Sequence, residues 1–194
     1  MMKEESILPA TTLRKIINSA YYKINEAYLA NEDDLSEYEI QYLFYDSLKK
    51  QIKNKGCIAK KEREKVDITI TDVDNTLKYR IEVKSYIKSH EKISINALNK
   101  DLADLEEFLG GKESLEKKAF LLIAIREKTL QSSSIKNKLL ASYLNHKSKV
   151  SPLHVTQNFK HTLTSSYTIA KNNSIDKVYI GQQVRLFLIE IKKK

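Results

Sequence analysis

From Leu13 onward, apolar residues recur at steps of three and four: Leu13, Ile16, Ile17, Ala20, Ile24 and Ala27. That spacing lays one apolar stripe along a helix and predicts an α-helix over 11–30. The polar run before Leu35 breaks it. A second helix is predicted over 35–53, with Ile40, Leu43, Phe44, Leu48 and Ile52 on its buried face. Asp34 or Ser36 can accept the N–H groups its first turn leaves unpaired, and Glu37 or Glu39 can complete a capping box. The period then drops to two. Val66, Ile68 and Ile70 alternate with Asp67, Thr69 and Thr71, and Tyr79, Ile81 and Val83 alternate with Arg80, Glu82 and Lys84. Two strands, 66–72 and 77–86, are predicted to pair antiparallel around a turn at 72–76. Residues 57–62 fit a short strand beside them.

Helical spacing returns over 95–109, where Leu98, Leu102, Leu105 and Leu109 share a stripe, and Gly110-Gly111 suit a helix end. Residues 119–125 (Ala-Phe-Leu-Leu-Ile-Ala-Ile) have no polar face, which predicts a strand covered on both sides. Further on, 135–144 reads as a helix, and 178–180 and 184–191 as strands. Residues 153–170 fit no single period. The fold class is therefore α/β, a mixed central sheet flanked by helices. Residues 1–130 would form the core with its N-terminal helix. Residues 131–194 would be a C-terminal extension packed on it, all within one domain.

Charge sharpens this division. The chain has 194 residues and a net charge of +9. Residues 1–130 are balanced, with 23 basic and 23 acidic side chains, whereas 131–194 hold eleven Lys and Arg against only Asp176 and Glu190. A one-sided basic excess is the footprint of a polyanion, so nucleic acid is the expected partner. The phosphate contacts would come from Lys136, Lys138, Lys147, Lys149, Lys160, Lys171 and Arg185. A solvated, lysine-rich surface is the plainer alternative.

Other classes drop out. No apolar run approaches the roughly 18 residues of a membrane span. The first ten residues lack a secretory apolar core, so a cytoplasmic location is expected. Cys57 is the only cysteine, which rules out an internal disulfide and a thiolate zinc cluster. No glycine-rich phosphate loop occurs.

The chemistry lies on the polar face of the predicted hairpin. Glu82 and Lys84 point to one side of their strand, and the turn brings Asp67 back towards them. Two carboxylates can hold Mg²⁺, and a neighbouring lysine can orient or deprotonate a water, or stabilise a charged transition state. Asp67, then Glu82-Val83-Lys84 on the next strand, followed by a helix and a buried strand, resembles the PD-(D/E)xK restriction-endonuclease-like nuclease superfamily across about 35–126. Val66 stands where that family often has proline.

The resemblance implies an α-β-β-β-α-β core. It makes Asp67 and Glu82 ligands for Mg²⁺, with Mn²⁺ able to substitute, and Lys84 the catalytic lysine. Many members add an acid from the preceding helix. Projected at 100° per residue, Glu37 falls near the centre of the buried face of 35–53 and Glu39 to one side, which favours Glu37. The expected function is a Mg²⁺-dependent nuclease, DNA favoured, acting as a homodimer or with a partner subunit. A catalytically silent binding module and an RNA-directed nuclease are the alternatives. Asp72 and Asp74 read as turn formers. His90 reads as a surface-loop residue, with a phosphate contact the alternative, and Asp101, Asp104, His154 and His161 carry no site signal. Tyr21 with Tyr22 and Tyr42 with Tyr45 read as packing, although tyrosines can also stack on bases.

Overall fold

The computed structural model describes residues 8–30, 35–53, 55–61, 67–72, 74, 76–88, 92–111, 117–130, 135–165 and 184–194. Along the chain these form α1 (Ala10–Ala30), α2 (Glu37–Ile52), β1 (Cys57–Lys61), β2 (Asp67–Asp72), β3 (Leu77–Tyr86), α3 (Ile95–Gly110) and β4 (Lys118–Arg126). The single turn α4 (Glu127–Leu130), α5 (Ile135–Leu144), β5 (Phe159–Ser165) and β6 (Val184–Lys193) complete it. The strands build one six-stranded sheet in the order β1-β2-β3-β4-β6-β5. β3 and β4 run parallel and every other neighbouring pair is antiparallel. The architecture is α/β with a mixed open sheet, and 37–126 follow the order α-β-β-β-α-β. Among the described residues no helix is long and apolar enough to cross a membrane.

Local signals set the element ends. Ser36 caps α2 in an extended conformation. Its Oγ accepts from the Glu39 N–H at 3.2 Å, and the Ser36 N–H donates to Glu39 Oε2 at 2.7 Å. The box uses Glu39 and thereby leaves Glu37 for other work. In the β2–β3 turn, Asp72 Oδ1 accepts from the N–H groups of Asp74 (3.0 Å) and Thr76 (2.8 Å), the turn role read for it. Ser94 caps α3. The far end of α3 departs from expectation. The helix includes Gly110, and Gly111 is extended at φ −59°, so no left-handed glycine closes it.

The sheet is covered on both faces. Ile16, Ile24, Phe44 and Leu48 of α1 and α2 pack on Ile68, Ile81, Val83, Phe120 and Leu186. Leu98, Leu102 and Leu105 of α3, with Leu140 and Leu144 of α5, pack on Leu121, Ile123, Phe187 and Ile189. Ala119 to Ile125 of β4 are buried throughout, as a strand lacking a polar face must be. Each large side chain so buried contributes about 1.5–3 kcal/mol.

The C-terminal third is not an extension laid on a finished core. β6 runs between β4 and β5, so residues after 130 supply two of the six strands. An apolar β4 needs a partner on each edge, and β3 fills only one. Asn25 of α1 fixes where β6 begins: its Oδ1 accepts from the Val184 N–H at 2.8 Å, and its Nδ2 donates to Val184 O at 3.0 Å. β5 falls within the aperiodic stretch 153–170. The strand expected at 178–180 lies outside the described residues.

One buried polar pair ties β5 to α3. His161 Nε2 lies 3.5 Å from Glu106 Oε1, with the two side chains 2% and 7% exposed. Burial pushes the imidazole below its ordinary pKa, and the opposing pull of Glu106 does not overcome it. As pH falls past about 6.5, the unfolded chain takes a proton that folded His161 refuses. The unfolding free energy should therefore decrease below that pH, by at most about 1.4 kcal/mol per pH unit for this one proton. Urea unfolding of wild type and His161→Gln across pH 5–7.5 checks it. If the two profiles are parallel, His161 does not contribute.

Candidate active site on strand β3

Tyr79, Ile81 and Val83 of β3 join the core beneath α1 and α2. Alternation turns Arg80, Glu82 and Lys84 to the face that carries α3. Lys84 sits where three elements meet. Its Nζ lies 3.4 Å from Asp101 Oδ2 of α3 and 3.8 Å from Glu37 Oε1 of α2.

The reason Glu37 reaches β3 is a backbone requirement. The register pairs Asp67, the first residue of β2, with Glu82. Residues 83–86 thus run past the described part of β2, and the Ser85 N–H on that side finds its acceptor on α2. Glu37 Oε2 accepts from the Ser85 N–H at 3.0 Å. A carboxylate on the buried side of a helix is costly without partners. Glu37 meets the strand backbone at Ser85 and the ammonium of Lys84.

Glu82 is 7% exposed and held by Arg80, whose Nη2 and Nε lie 2.7 Å and 3.1 Å from Glu82 Oε1. The register also aligns Lys60 of β1 with Thr69 of β2, and Thr69 with Arg80. Two cations thus occupy the row beside the Asp67–Glu82 row. Burial pulls the Lys84 pKa down. Glu37, Asp101 and, more weakly, Glu82 pull it up, and together they hold it above its ordinary value. At neutral pH Lys84 is an ammonium.

The structure therefore brings Glu37, Glu82 and Lys84 together on and beside β3. Asp67 stands opposite Glu82 in the ladder and is described at the level of its backbone. Asp101 is the residue the sequence reading missed. It looks like one acid among Asp104, Glu106 and Glu107, yet it lies three residues after Leu98 and four before Leu105. Those offsets put it at the margin of the buried stripe, the signal that marked Glu37 on α2.

Of the basic residues of the C-terminal third, Lys160 lies away from this site and Arg185 is buried. Lys138 is exposed on α5, Lys147 and Lys149 in the segment after it, and Lys160 on β5. β5 lies three strands from β3, about 14 Å at the usual spacing. Lys160 pairs with Lys192, towards the end of the sheet away from Lys84. Arg185 corrects the expectation outright. It is 5% exposed, its Nη1 lies 3.1 Å from Glu127 Oε2, and its guanidinium sits over the Phe187 ring. A residue counted as surface charge is part of the packed sheet. Lys136 is described at the level of its backbone, and Lys171 and His90 lie outside the described residues. Burial raises the Cys57 thiol pKa, which suits an inert side chain.

Among the described residues no three His, Cys, Asp or Glu side chains form a group able to hold a metal ion. No protein-family model, curated protein or solved structure matches this chain.

The Lys84 cluster makes a thermodynamic prediction. Lys84→Met and Asp101→Asn should each lower the unfolding free energy by about 1 kcal/mol. The double variant should cost less than their sum, with a coupling of at least about 0.5 kcal/mol. Additive losses in urea unfolding would mean that the pair does not form in solution.

Proposed function

We propose that this chain is a divalent-metal-dependent nuclease that hydrolyses phosphodiester bonds, with DNA the favoured substrate. One observation carries the reading: Asp67 and Glu82 are register partners on adjacent strands, and Lys84 follows on the face of Glu82. The Glu37 contact with β3 and the α-β-β-β-α-β order support it.

The donor set fits a hard cation. Asp67 and Glu82 offer only carboxylate oxygens, the ligands Mg²⁺ and Mn²⁺ prefer, with water and phosphate completing the shell. Such an ion would supply a bound water of lowered pKa and neutralise charge developing on the phosphate. The protein side of the chemistry belongs to its own residues. Lys84, kept charged by Glu37 and Asp101, is a donor to phosphate oxygen and suits electrostatic stabilisation better than proton abstraction. Glu37 positions Lys84 and β3. Arg80 orients Glu82. Lys60 and Arg80, in the next row, offset the repulsion between carboxylates and an incoming phosphate backbone. Each chain carries one such site, so cutting both strands of a duplex calls for a second copy or a partner subunit.

A second reading rests on the same contacts. Arg80 pairs with Glu82, and Lys84 with Glu37 and Asp101, as the face of a catalytically silent binding module would also have it. Incubation with plasmid, linear duplex, single-stranded DNA and RNA, in Mg²⁺, Mn²⁺ or EDTA, separates the readings. Cleavage should occur in Mg²⁺ or Mn²⁺ and stop in EDTA. Asp67→Asn, Glu82→Gln and Lys84→Met should each slow it by about 100-fold or more. If wild type cuts nothing in either metal, or Asp67→Asn cuts as fast, the enzyme reading fails. Binding without cleavage would favour the second reading, and cleavage of RNA alone would change the substrate.

A further inference from the structure

Helix α2 buries Ile40, Phe44 and Leu48, yet it presents two large aromatic residues to solvent. Tyr38 and Tyr42 are each 55% exposed. Four residues apart, they are neighbours on one helix face. Lys61 of β1 reaches them both. Its Nζ lies 3.3 Å from the Tyr38 ring centroid and 5.3 Å from that of Tyr42. The ammonium is enclosed, and it has no hydrogen-bond acceptor among the described residues. Tyr45 behaves differently: it is part-buried, and its hydroxyl donates to Ala59 O at 3.1 Å. Packing explains Tyr45. Tyr38 and Tyr42 instead leave more than half of their surface open.

We infer that Tyr38, Tyr42 and Lys61 form a stacking platform for unpaired bases of a nucleic-acid strand, so that the substrate is single-stranded at or next to the bond that is cut. The platform by itself needs only the geometry above, and its link to a bond that is cut rests on the nuclease reading. Three features support it. The cation between the rings restrains two side chains that have few rotatable bonds, which lowers the entropy lost on binding. The position is apt, because Tyr38 follows Glu37, whose carboxylate contacts both Ser85 and Lys84 of β3. A strand with a phosphate at Lys84 can lay its adjoining bases on α2. The chemistry is apt as well. Exposed tyrosine rings match the flat faces of unpaired bases, which stack on aromatic side chains whatever their sequence.

The test measures binding rather than cleavage. Labelled oligonucleotides of about twelve residues, as single-stranded DNA, single-stranded RNA and blunt duplex, are titrated with the full chain in EDTA by fluorescence anisotropy. Wild type should bind a single strand. Tyr38→Ala/Tyr42→Ala should weaken that binding about tenfold or more and leave the duplex nearly unaffected, while Tyr38→Phe/Tyr42→Phe should retain it. The tighter of the DNA and RNA arms names the polymer. Both tyrosines are exposed, so the variants should melt close to wild type. The proposal fails if wild type binds no single strand, if the alanine pair binds as tightly as wild type, if the phenylalanine pair loses as much as the alanine pair, or if the duplex weakens equally. Because no metal is present, loss of cleavage elsewhere with this result intact would reject the nuclease reading alone.

Discussion

Strand β3 outruns the described part of β2 at one end, and the backbone N–H of Ser85 left there organises what surrounds it. A buried amide must find an acceptor. Glu37 supplies it and so brings α2 down onto the end of β3. A half-buried carboxylate is in turn stabilised by positive charge, and Lys84 supplies that. Lys84 then draws in Asp101 from α3. One unsatisfied donor thus accounts for the meeting of three elements, and the cluster of ionised groups follows from hydrogen-bond satisfaction.

The same chain of dependence explains which parts were legible in advance. Spacing foretold α1, α2, α3 and the β2–β3 hairpin, because each has one apolar face and its own period. The unbroken run from Ala119 foretold a central strand for the same reason. Glu37 could be picked by projecting α2 onto a wheel, since its neighbours on the stripe are strongly apolar. Asp101 needed the same projection on α3, where three further acids hid it. Arg80 sits on the correct face by alternation, but only the fold shows that it holds Glu82. The place of β6 was not legible at all. Insertion between β4 and β5 depends on which edge of β4 stays unfilled, a global property that no local window contains.

Charge misled most where it was treated as a sum. The excess of lysine after residue 130 is real, yet α5, the following segment and β5 disperse it. Arg185 shows the failure in one residue: counted as surface charge, it is packed among strands against Glu127 and Phe187. Lys60 and Arg80, in the row beside Asp67 and Glu82, come from the part of the chain whose net charge is zero. Local pairing, set by register, decides what field a ligand meets.

The insertion of β6 also bears on how the chain reaches its structure. Asn25 and Val184 are 159 residues apart, and the pairing of β4 with β6 is long-range as well. Contacts of such separation form late, because the closure entropy of the intervening chain must be overcome first. Until β6 docks, β4 is an edge strand with seven consecutive apolar residues and unpaired amides along one side. An edge of that kind is a template for pairing with other chains. A chain in which β1–β4 paired before β6 arrived would be most exposed to misassembly in that interval, and any change that slowed the docking of Val184 on Asn25 would lengthen it.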